Sequence, residues 1–156
     1  SLIAQTEAQA HGCDQVVFLD ARENRWVEEL GGMNVFFVFK DGTLSTPPLQ
    51  GTILPGITRK SLLQLAADAG LQVVERNYAF EDWKADAASG NLVEAFACGT
   101  AAVVAGIGKV KYEGGEFPIG DGQTGPVTLK LREALVSLQR GLSNDPYGWV
   151  HPIRLP

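Results

Sequence analysis

The sequence predicts a single α+β domain whose sheets are mostly antiparallel. Short apolar runs of strand length are interspersed with stretches of helical period. Asp41-Gly42 and Gly114-Gly115 are hairpin signals, and hairpins join antiparallel strands. Nothing matches GxGxxG after a strand or GxxxxGK[ST], so a doubly wound parallel sheet lacks its own signature. The 156 residues fit one domain, 1–156. A chain of that length buries roughly two-thirds of its unfolded surface, enough for a true core.

Each element has a local reason. Ser1 to Ala10 is rich in strong helix formers, and Gly12 is placed to stop the helix. Gln15 to Asp20 reads as a short buried strand, followed by a polar turn over 21–24. Arg25 to Glu29 and Asn34 to Phe39 read as strands divided by Gly31-Gly32. Asp41-Gly42 leads into a strand over 43–46, which Pro47-Pro48 ends. Leu54 to Arg59 is a tight turn before a helix, with Thr58 as its N-cap and Leu62, Leu63, Leu65, Ala66 and Ala69 as its apolar face. Leu71 to Arg76 is a strand, Phe80 to Ser89 a helix stopped by Gly90, and Leu92 to Cys98 a strand running into Gly99-Thr100-Ala101-Ala102. Lys109 to Tyr112 and Glu116 to Ile119 form the second hairpin. Val127 to Gln139 is the last helix, with Pro126 near its first turn, and the tail from Ser143 is irregular.

Composition removes several function classes. Apolar residues make 45% and charged residues 20% of the chain, ordinary globular values. Thirteen basic against 18 acidic residues leave a net charge of −5, the wrong sign for a nucleic-acid footprint. No apolar run reaches the length of a membrane span, and SLIAQTEAQA lacks the basic and apolar regions of a signal peptide. Cys13 and Cys98 are too few for a disulfide framework and suit a reducing compartment. His11 and His151 stand far apart, so no histidine-rich metal site is expected. The 18 glycines exceed the average share of about 7%, and they are clustered.

Three of those clusters combine small residues with polar groups. In Glu29-Leu30-Gly31-Gly32-Met33-Asn34, a carboxylate ends a strand beside two glycines. An arbitrary Glu at a bend is simply solvated; the sharper reading is a carboxylate facing a cofactor nitrogen. In Leu54-Pro55-Gly56-Ile57-Thr58-Arg59, a turn feeds a helix N-terminus, where unpaired backbone N–H groups and the Thr58 hydroxyl could hold an anion. Taken alone this is a common capped helix. In Ala97-Cys98-Gly99-Thr100-Ala101-Ala102, small residues after a strand allow a ligand close to the backbone, or equally a tight packing contact. The remaining candidates are bland. Cys98 reads as a small buried apolar group, Trp26, Trp83 and Trp149 as core or cover, and strand alternation lets only one of Glu28 and Glu29 face inward.

Together the three segments resemble the fold-type IV pyridoxal-phosphate enzymes, and within them the branched-chain amino-acid aminotransferases. The spaced pattern runs through Glu29, Gly31, Asn34, Val35 and Phe36, then Leu44, Thr46, Leu54, Gly56, Ile57 and Arg59. EELGGMN, LPGITR, FACGTAAVV, the opening SLIAQTEAQAHGCDQVVFLD and the LQRG helix end resemble the branched-chain subgroup, so the similarity covers nearly the whole chain. The resemblance implies the larger domain of the D-amino-acid aminotransferase-like fold: mixed, mostly antiparallel sheets or a pseudo-barrel, with flanking helices. It implies that Glu29 meets the pyridine nitrogen and that Ile57, Thr58 and Thr100 hold the phosphate. Leu54 and Gly56 would support the ring, Thr100 and Ala101 receive the substrate carboxylate, and Gly32 and Met33 line the pocket for an aliphatic side chain.

The departures from the family pattern shape the expectation. The family's Schiff-base lysine belongs to a motif just upstream of the segment matching Ser1. Lys40, Lys60, Lys84, Lys109, Lys111 and Lys130 are outside that motif, so no catalytic residue is assigned here. The small N-terminal domain is likewise expected outside, which makes this chain a piece of a longer protein and inactive alone. Ala102 and Ala105 stand where some relatives carry a redox CxxC, so no thiol switch of that kind is expected. The resemblance implies transamination of leucine, isoleucine and valine with 2-oxoglutarate by a cytoplasmic homodimer without nucleic-acid, membrane or metal partners. A D-amino-acid transaminase or aminodeoxychorismate lyase of the same fold, or a non-catalytic piece, are the alternatives.

Overall fold

The structure, a computed structural model, describes residues 2–153. Ser1, where the first helix was expected to begin, and the last three residues of the tail lie outside them. The elements follow in the order α1 (Leu2–Ala10), β1 (Val17–Leu19), β2 (Val27–Leu30), β3 (Met33–Phe39), β4 (Thr43–Thr46), α2 (Ile57–Asp68), β5 (Gln72–Glu75), α3 (Phe80–Ser89), β6 (Leu92–Gly99), β7 (Val103–Gly106), β8 (Lys109–Tyr112), β9 (Gly115–Pro118) and α4 (Pro126–Gln139). This is the expected α+β class, with mostly antiparallel sheets and flanking helices.

β3 is the axis of the domain. Along one edge it pairs antiparallel with β6 from Asn34↔Cys98 to Phe39↔Leu92. Its other edge is shared, with β2 against Met33 and Asn34 and β4 against Phe37 and Val38. Such a strand is covered on both faces, which is why MNVFFVF is a continuous apolar run rather than an alternation. One face of β3 places Val35, Phe37 and Phe39 in a core with Trp83 of α3 and Val110 and Phe117 of the small β8–β9 sheet. The other places Phe36 and Val38 against Leu62, Leu65 and Ala66 of α2 and Leu131, Leu135 and Leu138 of α4. Phe36 stacks on Phe96 at 5.0 Å between ring centroids, and each fully buried Phe contributes about 1.5–3 kcal/mol.

The single parallel pair described, β4 with β5, needs a crossover, and α2 supplies it. The N-terminus of α2 therefore lies just beyond the C-terminal end of β4, reached by the loop over 47–56. At the opposite helix, Glu94 of β6 accepts from Val127 N, Thr128 N and Thr128 Oγ1 at 2.7–2.9 Å, closing the start of α4.

Several sequence expectations change. The first strand shrinks to three half-buried residues, because β1 is an edge paired only with β2. Val103–Gly106 forms a strand that the sequence reading passed over; its VVAG is too short and glycine-ended to show a period. Helix α2 begins two residues earlier than expected. Its N-cap is Gly56, not Thr58, since Gly56 is extended and its carbonyl already accepts from Lys60 N. Ala69 closes that helix as its C-cap and is exposed instead of lying on the apolar face. No described helix is long and apolar enough to cross a membrane.

Candidate functional site

The three glycine-bearing segments converge on one end of β3. Register makes Glu29, Asn34, Cys98 and Val104 neighbours in a row across β2, β3, β6 and β7. Cys98 and Val104 belong to the core beneath α2 and α4, so this row faces that side of the sheet.

Glu29 reaches that face through a bulge. Phe18 pairs with Glu29 but Leu19 pairs with Val27, leaving Glu28 as an extra residue in β2. Plain alternation would send Val27 and Glu29 to one side. With the bulge, Val27 and Leu30 enter the core on the α3 side, while Glu29 aligns with Asn34. Glu28 Oε2 accepts from Thr52 Oγ1 at 2.6 Å in an exposed contact. Glu29 Oε2 is buried and has no hydrogen-bond partner. Only one of the pair faces inward, as expected, but the bulge is the cause. Of the four buried side-chain polar atoms without a partner among the described residues, Glu29 Oε2 is the only carboxylate oxygen. Leaving a buried acceptor unmet costs about 1–3 kcal/mol, a cost that a donor brought by a ligand would remove.

Gly31 and Gly32 are explained first by the turn. With φ of +53° and +92° they are the two loop residues between the paired Leu30 and Met33, the geometry of a type I′ hairpin. Met33 packs toward the α3-side core, on the face opposite Asn34, and its Cγ would be 3.2 Å from a Cβ at Gly99.

Asn34 links Glu29 to the second segment. Buried in an otherwise apolar strand, it donates from Nδ2 to Leu54 O at 2.9 Å. Gly56 N donates to the same carbonyl at 2.8 Å, closing a three-residue turn about Pro55. A Cβ at residue 56 would collide with Asn34 Oδ1 and displace that amide, so glycine is favoured there by contact rather than by φ. No side chain caps α2, and the N–H groups of Ile57 and Thr58 therefore have no intrahelical acceptor at the positive end of the helix. Leu54 and Ile57 are 63% and 79% exposed, which leaves this turn open.

The third segment is the β6–β7 turn. Gly99 pairs with Val103 around Thr100, Ala101 and Ala102, and Thr100 and Ala101 are exposed. Val103 has φ +57°, a left-handed backbone that costs a β-branched residue on the order of 1–3 kcal/mol. Beneath, burial pushes the Cys98 thiol up to about 12, with the nearby Arg59 charge acting in the opposite direction. Cys98 is thus a core residue, as the sequence suggested. His11 and His151 are exposed, and no cluster of three or more His, Cys, Asp or Glu that could hold a metal exists among the described residues. None of the six lysines is buried: Lys84 and Lys109 pair with Glu81 and Glu116, and Lys111 bonds His11 O.

Glu29, the Leu54–Thr58 turn and, through Cys98 and Gly99, the Thr100–Ala101 turn are thereby tied to one end of β3. An orphaned carboxylate at one point and open helix N–H groups at another suit a ligand with a cationic N–H and an anionic group. Sequence reasoning gave no role to Asn34 or Arg59. A lone Asn within MNVFFVF was the available signal for the first.

The family model for Amino-transferase class IV matches residues 1–110. The branched-chain-amino-acid aminotransferase of Mycolicibacterium smegmatis is 54% identical over 153 residues, 96% of this chain and 42% of that protein. The probable branched-chain-amino-acid aminotransferase of Streptomyces coelicolor is 50% identical, with 98% and 42% covered. The crystal structure of the Escherichia coli branched-chain amino acid aminotransferase superposes with a TM-score of 0.78 at 34% identity, covering 95% of this chain and 44% of that one. A second solved branched-chain amino acid aminotransferase, from T.th. and complexed with N-(5'-phosphopyridoxyl)-L-glutamate, gives 0.74 at 34% identity, over 87% and 42%. The chain spans less than half the length of these relatives. By the family match and these likenesses, it belongs to the class IV amino-transferases.

Proposed function

We propose that this chain, residues 1–156, is the larger cofactor-binding domain of a pyridoxal-phosphate-dependent aminotransferase. The reaction is amino-group transfer between leucine, isoleucine or valine and 2-oxoglutarate. The observation that carries the reading is Glu29 Oε2, buried without a partner and joined through Asn34 to an open helix N-terminus. Relatives named as branched-chain-amino-acid aminotransferases support the substrate class, and the phosphopyridoxyl compound in the second solved relative supports the cofactor.

When bound, pyridoxal phosphate supplies an electron sink for chemistry at the substrate α-carbon. Glu29 would hold the proton on its ring nitrogen, which keeps that sink strong. The Ile57 and Thr58 N–H groups, the Thr58 hydroxyl and Thr100 would bind the phosphate. Leu54 and Gly56 would support and admit the ring. Thr100 and Ala101 would receive the substrate carboxylate, and Gly32 and Met33, at the tip of the β2–β3 hairpin, would line the aliphatic pocket through their backbone, since the Met33 side chain turns to the core on the opposite face. A lysine that holds the cofactor covalently would come from outside these residues, and the isolated chain would then turn nothing over. A homodimer in the cytoplasm, where the two free cysteines stay reduced, completes the proposal.

The test is a substrate panel on the whole protein. L-leucine, L-isoleucine and L-valine should be consumed only with 2-oxoglutarate. Turnover confined to a D-amino acid, or to aminodeoxychorismate without an acceptor, would assign another activity of this fold.

A further inference from the structure

We propose that Arg59 is a positioning residue for the anion-holding turn, a role that rests on the phosphate site proposed above. Arg59 occupies the first turn of α2 and is only 3% exposed. Its Nη2 donates to Pro47 O at 2.9 Å and to Glu75 Oε2 at 2.5 Å. Those acceptors mark one place in the sheet: Thr46, preceding Pro47, is the register partner of Glu75 at the last step of the parallel β4–β5 pair. Pro47 opens the loop that leads to α2, and Arg59 follows its end. The guanidinium therefore staples that loop shut at its base, while Asn34 holds its far end at Leu54 O. Between the two staples lie Gly56, Ile57 and Thr58.

Stability alone is a poor account of this arginine. A cation in the first turn of a helix opposes the dipole. Its Nε is buried without an acceptor, a further cost. Burying the guanidinium carries a desolvation cost that pairing with a half-exposed carboxylate offsets only in part. What the arrangement does provide is a fork of fixed geometry, which a lysine cannot reproduce. Fixing the first turn of α2 orients the Ile57 and Thr58 N–H groups before an anion arrives, so less ordering remains to be done on binding.

The experiment measures the ratio of the dissociation constants of pyridoxal and pyridoxal phosphate in the whole protein, well below its melting temperature. That ratio isolates phosphate affinity from contacts to the ring. Arg59→Met should lower it about tenfold, and Arg59→Lys should restore part of the loss. Glu75→Ala, which removes the carboxylate but leaves Pro47 O as an acceptor, should lower it about threefold. The phosphorus NMR line of bound pyridoxal phosphate should broaden in the same order. Lys84→Met, which breaks an unrelated ion pair, should leave the ratio unchanged. A wild-type ratio of one would overturn the phosphate site and this role with it. A large wild-type ratio unchanged in Arg59→Lys and Glu75→Ala would overturn the positioning role alone, even if Arg59→Met fails to fold.

Discussion

Asn34 faces Glu29 directly across the β2–β3 ladder and, on the same face of the sheet, donates 2.9 Å to the carbonyl of Leu54. One amide thus couples the residue assigned to a ring nitrogen with the turn assigned to a phosphate. A buried strand residue ties together two segments whose local signals are weak, as the proposed site requires.

Asn34→Ala should uncouple these parts. It deletes a buried hydrogen bond and leaves the space beside Gly56 unfilled, so a loss of about 1–3 kcal/mol is expected. Urea unfolding of the apoprotein measures that loss. Release of pyridoxal phosphate, followed by dilution, should accelerate at the same time. Release at the wild-type rate would show that other contacts fix the turn.

Glu29→Gln should separate activity from stability. The substitution changes a side chain whose Oε2 is buried without a partner and deletes no hydrogen bond, so the apoprotein should melt at about the same temperature or higher. Turnover should fall by about a hundredfold or more, because an amide cannot hold a ring-nitrogen proton as a carboxylate does. Glu29→Ala should behave in the same way. Normal turnover in either variant would overturn the assignment. Groups kept for chemistry often cost stability, and this pair of measurements detects that sign.

Thr58→Ala tests the hydroxyl apart from the helix start. Because Gly56 caps α2, loss of this side chain should not show the ~1 kcal/mol cost of a lost N-cap. The apoprotein melting temperature should stay within about a degree or two. Affinity for pyridoxal phosphate should drop about three- to tenfold, the effect of one hydrogen bond. Unchanged affinity would remove Thr58 from the phosphate site.

The sequence made the fold class and most elements legible where a local rule governed them. Asp41-Gly42 fixed a hairpin, Gly90 a helix end, and Pro126 a helix start. It did not show the bulge at Glu28, which depends on how β1 and β2 align rather than on either strand. Nor did it show that Gly56 would displace Thr58 as the cap, or that the Asn34 amide, 22 residues earlier, packs where a side chain at 56 would go. The parallel β4–β5 pair and the Arg59 staple were hidden similarly, because both arise when a crossover helix returns a distant strand to the sheet. Short-range chemistry could be read in order along the chain; the couplings that turn three segments into a site are long-range.

Cys98 gives a pH test of the floor beneath that site. Its thiol is buried, and desolvation raises its pKa from 9.0 to about 12. The neutral thiol is the form the core accepts, so the proton is held more tightly in the folded chain than in the unfolded one. Its contribution to stability is therefore complete below pH ~9 and declines as pH rises from there toward 12. Urea midpoints measured from pH 8 to 11 should fall less steeply for Cys98→Ala than for the wild type, although the alanine starts lower because it leaves a small cavity. A thiol reagent at pH 8 should label the half-buried Cys13 at once, and Cys98 only as the domain unfolds. Equal labelling of both cysteines in the folded protein would mean that Cys98 is not sealed beneath the row that carries Glu29 and Asn34.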